Sequence, residues 1–304
     1  MDFSKLFKNI TKDFGSNLTM KIGNTPELKT RDCFCLWSDL LGFGNVFAQN
    51  NWDLDDKTKK QVYSRLKAAH SAVLYYSSFR ERNLILNDGI AKVFHPLSKF
   101  EDKNNIISIS LFFRSCVELH LSINKTELEN NYPGCRSILA FGESIEYLVD
   151  EIKLDDYVMN YTKPQGAAIS NFAKNAGNPT IIYNPKELQM NTAFSKAFLL
   201  DEGGSNAGMP GNNFYIDESV IKAVISYSND KGYKSVWKET ENGLCLFIPY
   251  NSDNIHEVIM GFYFDKKITP KNVRYNTTIY RLKCFYPHDE KTDEFFFDLD
   301  DYNS

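Results

Sequence analysis

Two aspartates carry the strongest chemical suggestion in this chain. Asp39 closes an apolar run that begins at Asp32, and Asp88 sits in Asn87-Asp88-Gly89 between two further apolar runs. Carboxylates are hard oxygen donors, and a converging pair suits Mg²⁺ or Mn²⁺, ions that share their shell with phosphate oxygens. Of two such ions, one can acidify an attacking hydroxyl while the other neutralises a departing pyrophosphate. Leu41-Gly42-Phe43-Gly44 follows Asp39 directly and offers backbone N–H groups at a helix start, where a phosphate is stabilised and glycines allow close approach. Plainer readings stand beside these. Ser38-Asp39 before a helix can be an N-cap, and Asp88 can be a turn former.

The elements that must position the pair can be read from hydrophobic periodicity and turn signals. Asp32 to Asp39 reads as a strand, and Asp53 to Asp56 can cap a helix running through Val62, Leu66, Ala69 and Val73 to about Ser77-Ser78. Asn83 to Leu86 and Ile90 to Phe94 read as a hairpin, because Asn, Asp and Gly tolerate positive φ. A second helix runs from Asn105 to about Leu121, and after the turn Asn130 to Gly134 comes a strand, Arg136 to Phe141. Residues 150 to 178 are polar and irregular and read as an insertion. Thr180 to Tyr183 resumes as a strand, Pro185 opens a helix through about Leu200, and Gly203-Gly204 ends it. Phe214 to Asp217 and Ala223 to Tyr227 read as mixed. Past Val236 come antiparallel strands at Leu244 to Pro249, Val258 to Phe264, Thr278 to Phe285 and Glu294 to Leu299.

The order strand, helix, hairpin, helix, strand predicts a ferredoxin-like α+β sheet, antiparallel or mixed, with helices on one face. Such a sheet sets the end of its first strand beside the hairpin turn. Asp39 and Asp88 are therefore expected to meet.

Composition narrows the partners. With 304 residues, 42% of them hydrophobic, the chain can bury a sizeable core, and a formal charge of -4 argues against a nucleic-acid or membrane-surface binder. The six cysteines form no CxxC pair or zinc-spaced cluster and read as buried thiols of a reducing compartment, so a cytoplasmic location is expected. No apolar run approaches the roughly 20 residues that span a bilayer, and no signal-peptide pattern is seen. The apolar face of Phe3, Leu6, Phe7, Ile10 and Phe14 reads as a packing helix. His70 reads as packed or partly buried, and His95 as a strand end that could approach Asp88.

These residues also resemble a family. Trp37-Ser38-Asp39-Leu40-Leu41-Gly42-Phe43-Gly44 is similar to the motif that opens the catalytic domain of class III nucleotidyl cyclases. Leu86-Asn87-Asp88-Gly89-Ile90-Ala91 resembles their second metal motif, and Arg136 to Gly142 the strand after their second helix. The resemblance implies a nucleotidyl cyclase fold in which Asp39, Leu40 and Asp88 hold two Mg²⁺ or Mn²⁺ ions and Leu41 to Gly44 contact the substrate. It implies a catalytic domain at 31–235 with the insertion at 150–178, a helical extension at 1–30 and a β-rich extension at 236–304 packed on the same domain. Asn191 matches the family's transition-state Asn, whereas Ser195 replaces its Arg, leaving Lys196 as the nearby cation. At the base-reading positions stand Leu84 and Asn184, which depart from the purine patterns and leave room for a pyrimidine, as in the uridylate and cytidylate cyclases of Pycsar antiphage defence. Glu143 replaces a phosphate-binding Arg, so positive charge would come from Arg80, Arg82, Lys231 or Lys234. Implied partners are a nucleoside triphosphate, a second copy of the chain in a homodimer with composite sites, and a separate effector activated by the cyclic nucleotide. A catalytically inactive cyclase fold that binds nucleotide or another protein, a purine (ATP or GTP) cyclase and a palm-type nucleotide-joining enzyme are the rival readings.

Overall fold

The computed structural model describes residues 28–77, 80–97, 105–146, 153–154, 157–162, 167–170, 181–183, 185, 187–230, 232–240, 243–251, 254–287 and 296–300. The expected helix within residues 1–20 lies outside them. In chain order the elements are β1 (Lys29–Leu40), α1 (Phe43–Gln49), α2 (Asp56–Tyr75), β2 (Glu81–Leu86), β3 (Gly89–Phe94), α3 (Asn105–Glu129) and β4 (Cys135–Glu146). Then follow β5 (Lys153–Leu154), β6 (Tyr157–Thr162), β7 (Ala167–Ser170), β8 (Ile181–Tyr183), α4 (Thr192–Gly203), a 3₁₀ turn (Gly204–Ala207), β9 (Phe214–Asp217) and α5 (Glu218–Asn229). The last strands are β10 (Val236–Thr240), β11 (Gly243–Asn251), β12 (Asn254–Ile268), β13 (Ile279–Tyr286) and β14 (Phe297–Asp298).

The chain divides into two compact units, Met1–Thr30 with Ile145–Gln189, and Arg31–Ser144 with Met190–Ser304. In the first, β5-β6-β7-β8 form a four-stranded sheet. Residues 150–178 therefore contain strands where an irregular segment was expected. The larger unit holds a ten-stranded sheet in the order β10-β11-β12-β13-β9-β4-β1-β3-β2, with β14 added on β13. Its β4-β1-β3-β2 portion is the strand order of a ferredoxin-like unit. The sheet is mixed: β9 runs parallel to β4, while β1–β3, β2–β3 and β10 through β13 pair antiparallel.

β1 is buried on both faces, which is why it reads as a nearly unbroken apolar run. Phe34, Leu36 and Leu40 point to the face covered by α3, where Phe34 meets Phe113 edge-on at 5.4 Å and Phe94 stacks on Phe112 at 5.0 Å. Cys33, Cys35, Trp37 and Asp39 alternate to the opposite face. There Trp37 meets Phe194 and Phe198 of α4 at 5.7 and 5.4 Å. Helices thus cover both faces of the sheet, a correction to the one-faced arrangement expected.

Other differences have local causes. α3 extends past Leu121 to Glu129 because its polar residues Asn124 and Glu127 are buried partners of Cys135 and Arg65 rather than solvent-facing breakers. α4 starts at Thr192 and not near Pro185, because the Asn191 side chain caps it by accepting from the Phe194 N–H at 2.9 Å. The mixed stretch around Ala223 is helix α5, capped by Asp217, which accepts from the Ser219 N–H. α3 is also long and apolar enough to span a membrane, contrary to the reading of the apolar runs, and most of that stretch is buried inside the fold.

A buried ion pair joins the two strands of the edge hairpin, and the Ser115 hydroxyl of α3 donates to its carboxylate. Lys92 Nζ lies 3.0 Å from Glu81, and both side chains are 0% exposed. Removing one partner leaves a charge without compensation in a medium of low dielectric. Lys92→Met is expected to cost about 3–5 kcal/mol in chemical denaturation. The double replacement Lys92→Met/Glu81→Leu should recover most of it, and an equally unstable double variant would show that the pair matters for something besides its charge.

Candidate functional site

β1 and β3 pair so that Asp39 stands opposite Gly89, the residue after Asp88. The main-chain N–H of Leu40 donates to the carbonyl of Asp88 at 3.3 Å, so strand end and turn are joined directly. Both carboxylates are half-buried. Within the turn, Asn87 takes φ 60° and its Nδ2 donates to Asp88 Oδ1 at 3.0 Å, while His70 on α2 contacts the Asn87 carbonyl at 3.0 Å through Nε2. Only Asn87 of the three turn residues uses the left-handed region. Gly89 is needed for a different reason: a Cβ there would lie 2.2 Å from the ring of Trp37.

Trp37 leads to two residues that sequence reasoning missed. Its Nε1 donates to Asp201 Oδ2 at 3.0 Å, and Arg136 Nε donates to Asp201 Oδ1 at 2.6 Å. Arg136 also donates to the Asp201 carbonyl at 3.0 Å and to the Met209 carbonyl at 3.4 Å. A signal existed: Ala193, Ala197, Leu200 and Asp201 share the inward stripe of α4, and a carboxylate on such a stripe needs a donor. A buried Trp likewise needs an acceptor.

The consequence falls on Asp39. Burial first, then the negative charges of Asp201 and Asp88, push its carboxyl up from 3.8 to about 7, against the pull of Arg136 and Arg65. Those two cations are already committed, Arg136 to Asp201 and Arg65 to Glu127. A site that crowds carboxylates beyond its own positive charge fits a divalent cation. Among the described residues no group of three or more His, Cys, Asp or Glu side chains is arranged to hold a metal. Two carboxylates supplemented by water and phosphate oxygens suit Mg²⁺, which seldom relies on a cage of protein ligands alone. The Leu40 side chain is 2% exposed in the core, so a contribution from this residue is confined to its main chain.

The loop after Asp39 is held rigidly. Leu41 N–H donates to the Gly134 carbonyl at 2.9 Å, and its carbonyl accepts from Arg65 at 2.9 Å. The Arg65 guanidinium, forked onto Glu127, lies over the rings of Phe43 and Tyr132 at 5.6 and 4.7 Å. Gly42 sits at φ 67° and caps α1 with no side-chain bond. The Phe43 ring is buried at 2% exposure, which leaves main-chain groups as what Phe43 can offer a ligand, while Gly42 and Gly44 are exposed.

The remaining candidates divide. Leu84 stands opposite Ala91, which stands opposite Trp37, so these three share the α4 face of the sheet. Asn184 and Lys231 lie outside the described residues. Asn191 is 1% exposed within the chain, its Oδ1 caps α4 and its Nδ2 meets Cys33 Sγ at 3.3 Å. Cys33 is six residues from Asp39, roughly 20 Å along a strand, so Asn191 lies away from the carboxylates of its own chain. Lys196 Nζ donates to the Phe141 carbonyl at 2.8 Å, and Glu143 and Ser195 are exposed near the same helix start. His95 contacts the Asp32 carbonyl at 3.1 Å, at the end of β1 away from Asp39, and Arg80 donates to His95. Arg82 and Lys234 are exposed. α4 meets the carboxylate end of its own chain through its last turn, at Asp201.

No family model and no curated protein matches the sequence. Among solved structures the chain is similar to the guanylyl cyclase Cya2, at 10% identity over 86% of this chain and 95% of that one, with a TM-score of 0.40. It is similar to the adenylyl cyclase CyaB from P. aeruginosa at 11% identity, over 88% and 98% of the two chains, with a TM-score of 0.37. A guanylyl cyclase domain of the RhoGC fusion protein from the aquatic fungus Blastocladiella emersonii gives 8% identity, 84% and 96% coverage and a TM-score of 0.35. These likenesses are distant, and the functional reading rests instead on the strand order and the residues at the carboxylate end.

The Asp39 carboxyl yields a pH signature. A carboxyl raised to about 7 in the folded state contributes stability below its unfolded value and loses it as pH rises through about 7. In cation-free buffer, Asp39→Asn should therefore gain melting temperature over the unaltered protein progressively from about pH 4 to about pH 7, then hold a constant gap. A gap that is flat across this range would mean that the carboxyl is not lifted.

Proposed function

We propose that this chain is a nucleotidyl cyclase that converts a nucleoside triphosphate, UTP or CTP, into its 3′,5′-cyclic monophosphate and pyrophosphate. One observation carries the reading: Asp39 and Asp88, the two positions that resemble the metal motifs of class III cyclases, stand at adjacent strand ends, where the Leu40 N–H donates to the Asp88 carbonyl. Asp39, Asp88 and the main chain of Leu40 would hold divalent cations, which supply charge neutralisation for the triphosphate and an acidified hydroxyl. Gly42 and Gly44 leave the main chain open for phosphate oxygens, and Arg65 keeps that loop in place through the Leu41 carbonyl. Leu84 supports a base read without a hydrogen bond at that position.

The exposed side chains of Phe198 and Leu86 support a homodimer formed on the α4 side of the sheet, since Leu86 pairs with Gly89 beside Asp39. The product would act on a separate effector, in the manner of antiviral defence. Burial of Asn191 and the Ser at position 195 favour a second reading, a cyclase-like fold that binds triphosphate and cation without turnover.

Incubating purified protein with each of the four NTPs and Mn²⁺, then separating products by chromatography, tests both. Cyclic product is expected from UTP or CTP, falling to background in Asp39→Asn and Asp88→Asn. Uptake of triphosphate by calorimetry with no pyrophosphate released would establish the binding reading, and neither uptake nor product would sink both.

A further inference from the structure

Beside the two carboxylates lies a chain of buried contacts that the reading above leaves without a role. Asp201 is 9% exposed, and both its carboxylate oxygens are engaged, one by Arg136 and one by Trp37. An acid so committed orients both its donors. Its first donor, Arg136, is itself fixed by two main-chain carbonyls, those of Asp201 and Met209. Its second donor, Trp37, lies two residues before Asp39 on the same face of β1.

The indole is confined on several sides. Its six-membered ring rests against Gly89, where a methyl group would stand 2.2 Å from Cη2. Phe194 and Phe198 meet it edge-on, and Asp201 holds its N–H. Gly89 is the register partner of Asp39 and the chain neighbour of Asp88. The Leu40 N–H bond to the Asp88 carbonyl sets the strand spacing here, and a ring pinned against Gly89 on the carboxylate face limits how the turn carrying Asp88 can tilt relative to the strand carrying Asp39.

We propose that Arg136, Asp201 and Trp37 form a positioning unit that fixes the separation of the Asp39 and Asp88 carboxylates and thereby the affinity for a divalent cation. The inference rests on the reading of those two aspartates as cation ligands. Residues that orient ligands from behind typically govern metal affinity by about 10–100-fold. Trp37→Phe changes no charge but removes both the N–H bond to Asp201 and the part of the indole that lies on Gly89, so it strips the unit of its two contacts at once.

The test is Mn²⁺ binding to nucleotide-free protein, read from the electron paramagnetic resonance signal of free ion, with thermal melts run in parallel. Trp37→Phe and Asp201→Asn are each expected to raise the Mn²⁺ dissociation constant by about 10–100-fold. The double variant should be little weaker than the worse single one, because residues acting as one unit are not additive. Asp217→Asn, at the cap of α5, serves as a control that lowers the melting temperature without moving the Mn²⁺ constant. Unaltered Mn²⁺ binding in Trp37→Phe, or a shift no larger than that of the control, overturns the proposal while leaving the cation site standing. Failure of the unaltered protein to bind Mn²⁺ overturns the cation reading, and this one with it.

Discussion

Because Gly89 has no side chain, the ring of Trp37 can lie against its backbone, and the carboxylate end of the sheet is arranged around that approach. β1 and β3 pair in the one register that puts Asp39 opposite Gly89. A slip of one residue in β1 would turn Trp37 and Asp39 together to the face packed by α3 and break the contact with Gly89. The same approach directs the indole N–H away from the sheet toward α4, where Asp201 accepts it. One absent methyl group therefore couples strand register, helix docking and the placing of two acids.

The opposite face of β1 is organised by a different constraint, that of polar groups kept dry. Ser38 and Ser137 share a 2.8 Å hydrogen bond across β1 and β4, and His120 of α3 reaches Ser137 at 2.9 Å through Nδ1. Burial lowers the His120 pKa to about 3, so the imidazole stays neutral and serves as a hydrogen-bonding spacer in the core. Asn124 closes the set by accepting from the Cys135 N–H at 2.9 Å and donating to its carbonyl. These bonds join α3 to the two central strands, so each face of β1 is fixed by directional contacts as well as by apolar burial.

Features resting on neighbours in sequence were the ones legible beforehand. The Asn87-Asp88-Gly89 hairpin, the strand ending at Asp39 and their convergence followed from turn chemistry and element order. Asp201 was not legible in the same way, because its partners Trp37 and Arg136 stand 164 and 65 positions away. Asn191 shows the converse case. A local role as helix cap suits it fully, and its burial beside Cys33 depends on a pairing 158 positions distant. Gly89 was assigned to the turn on sound local grounds, yet what requires it is the ring of Trp37 across the sheet.

The strand order leaves the two acids unequal. Outside β1 stand only β3 and β2, whereas six strands lie in line on its other side, from β4 to β10. Asp39 thus belongs to the interior of the sheet and Asp88 to a two-stranded flap at its margin. In hydrogen-exchange terms the amides of β1 report global opening, and those of the flap can exchange through a smaller, separate fluctuation. Each such fluctuation would carry one carboxylate off while its companion stays in place. A ligand bridging the two would then act as a clasp on the flap, slowing exchange in β2 and β3 far more than in β1.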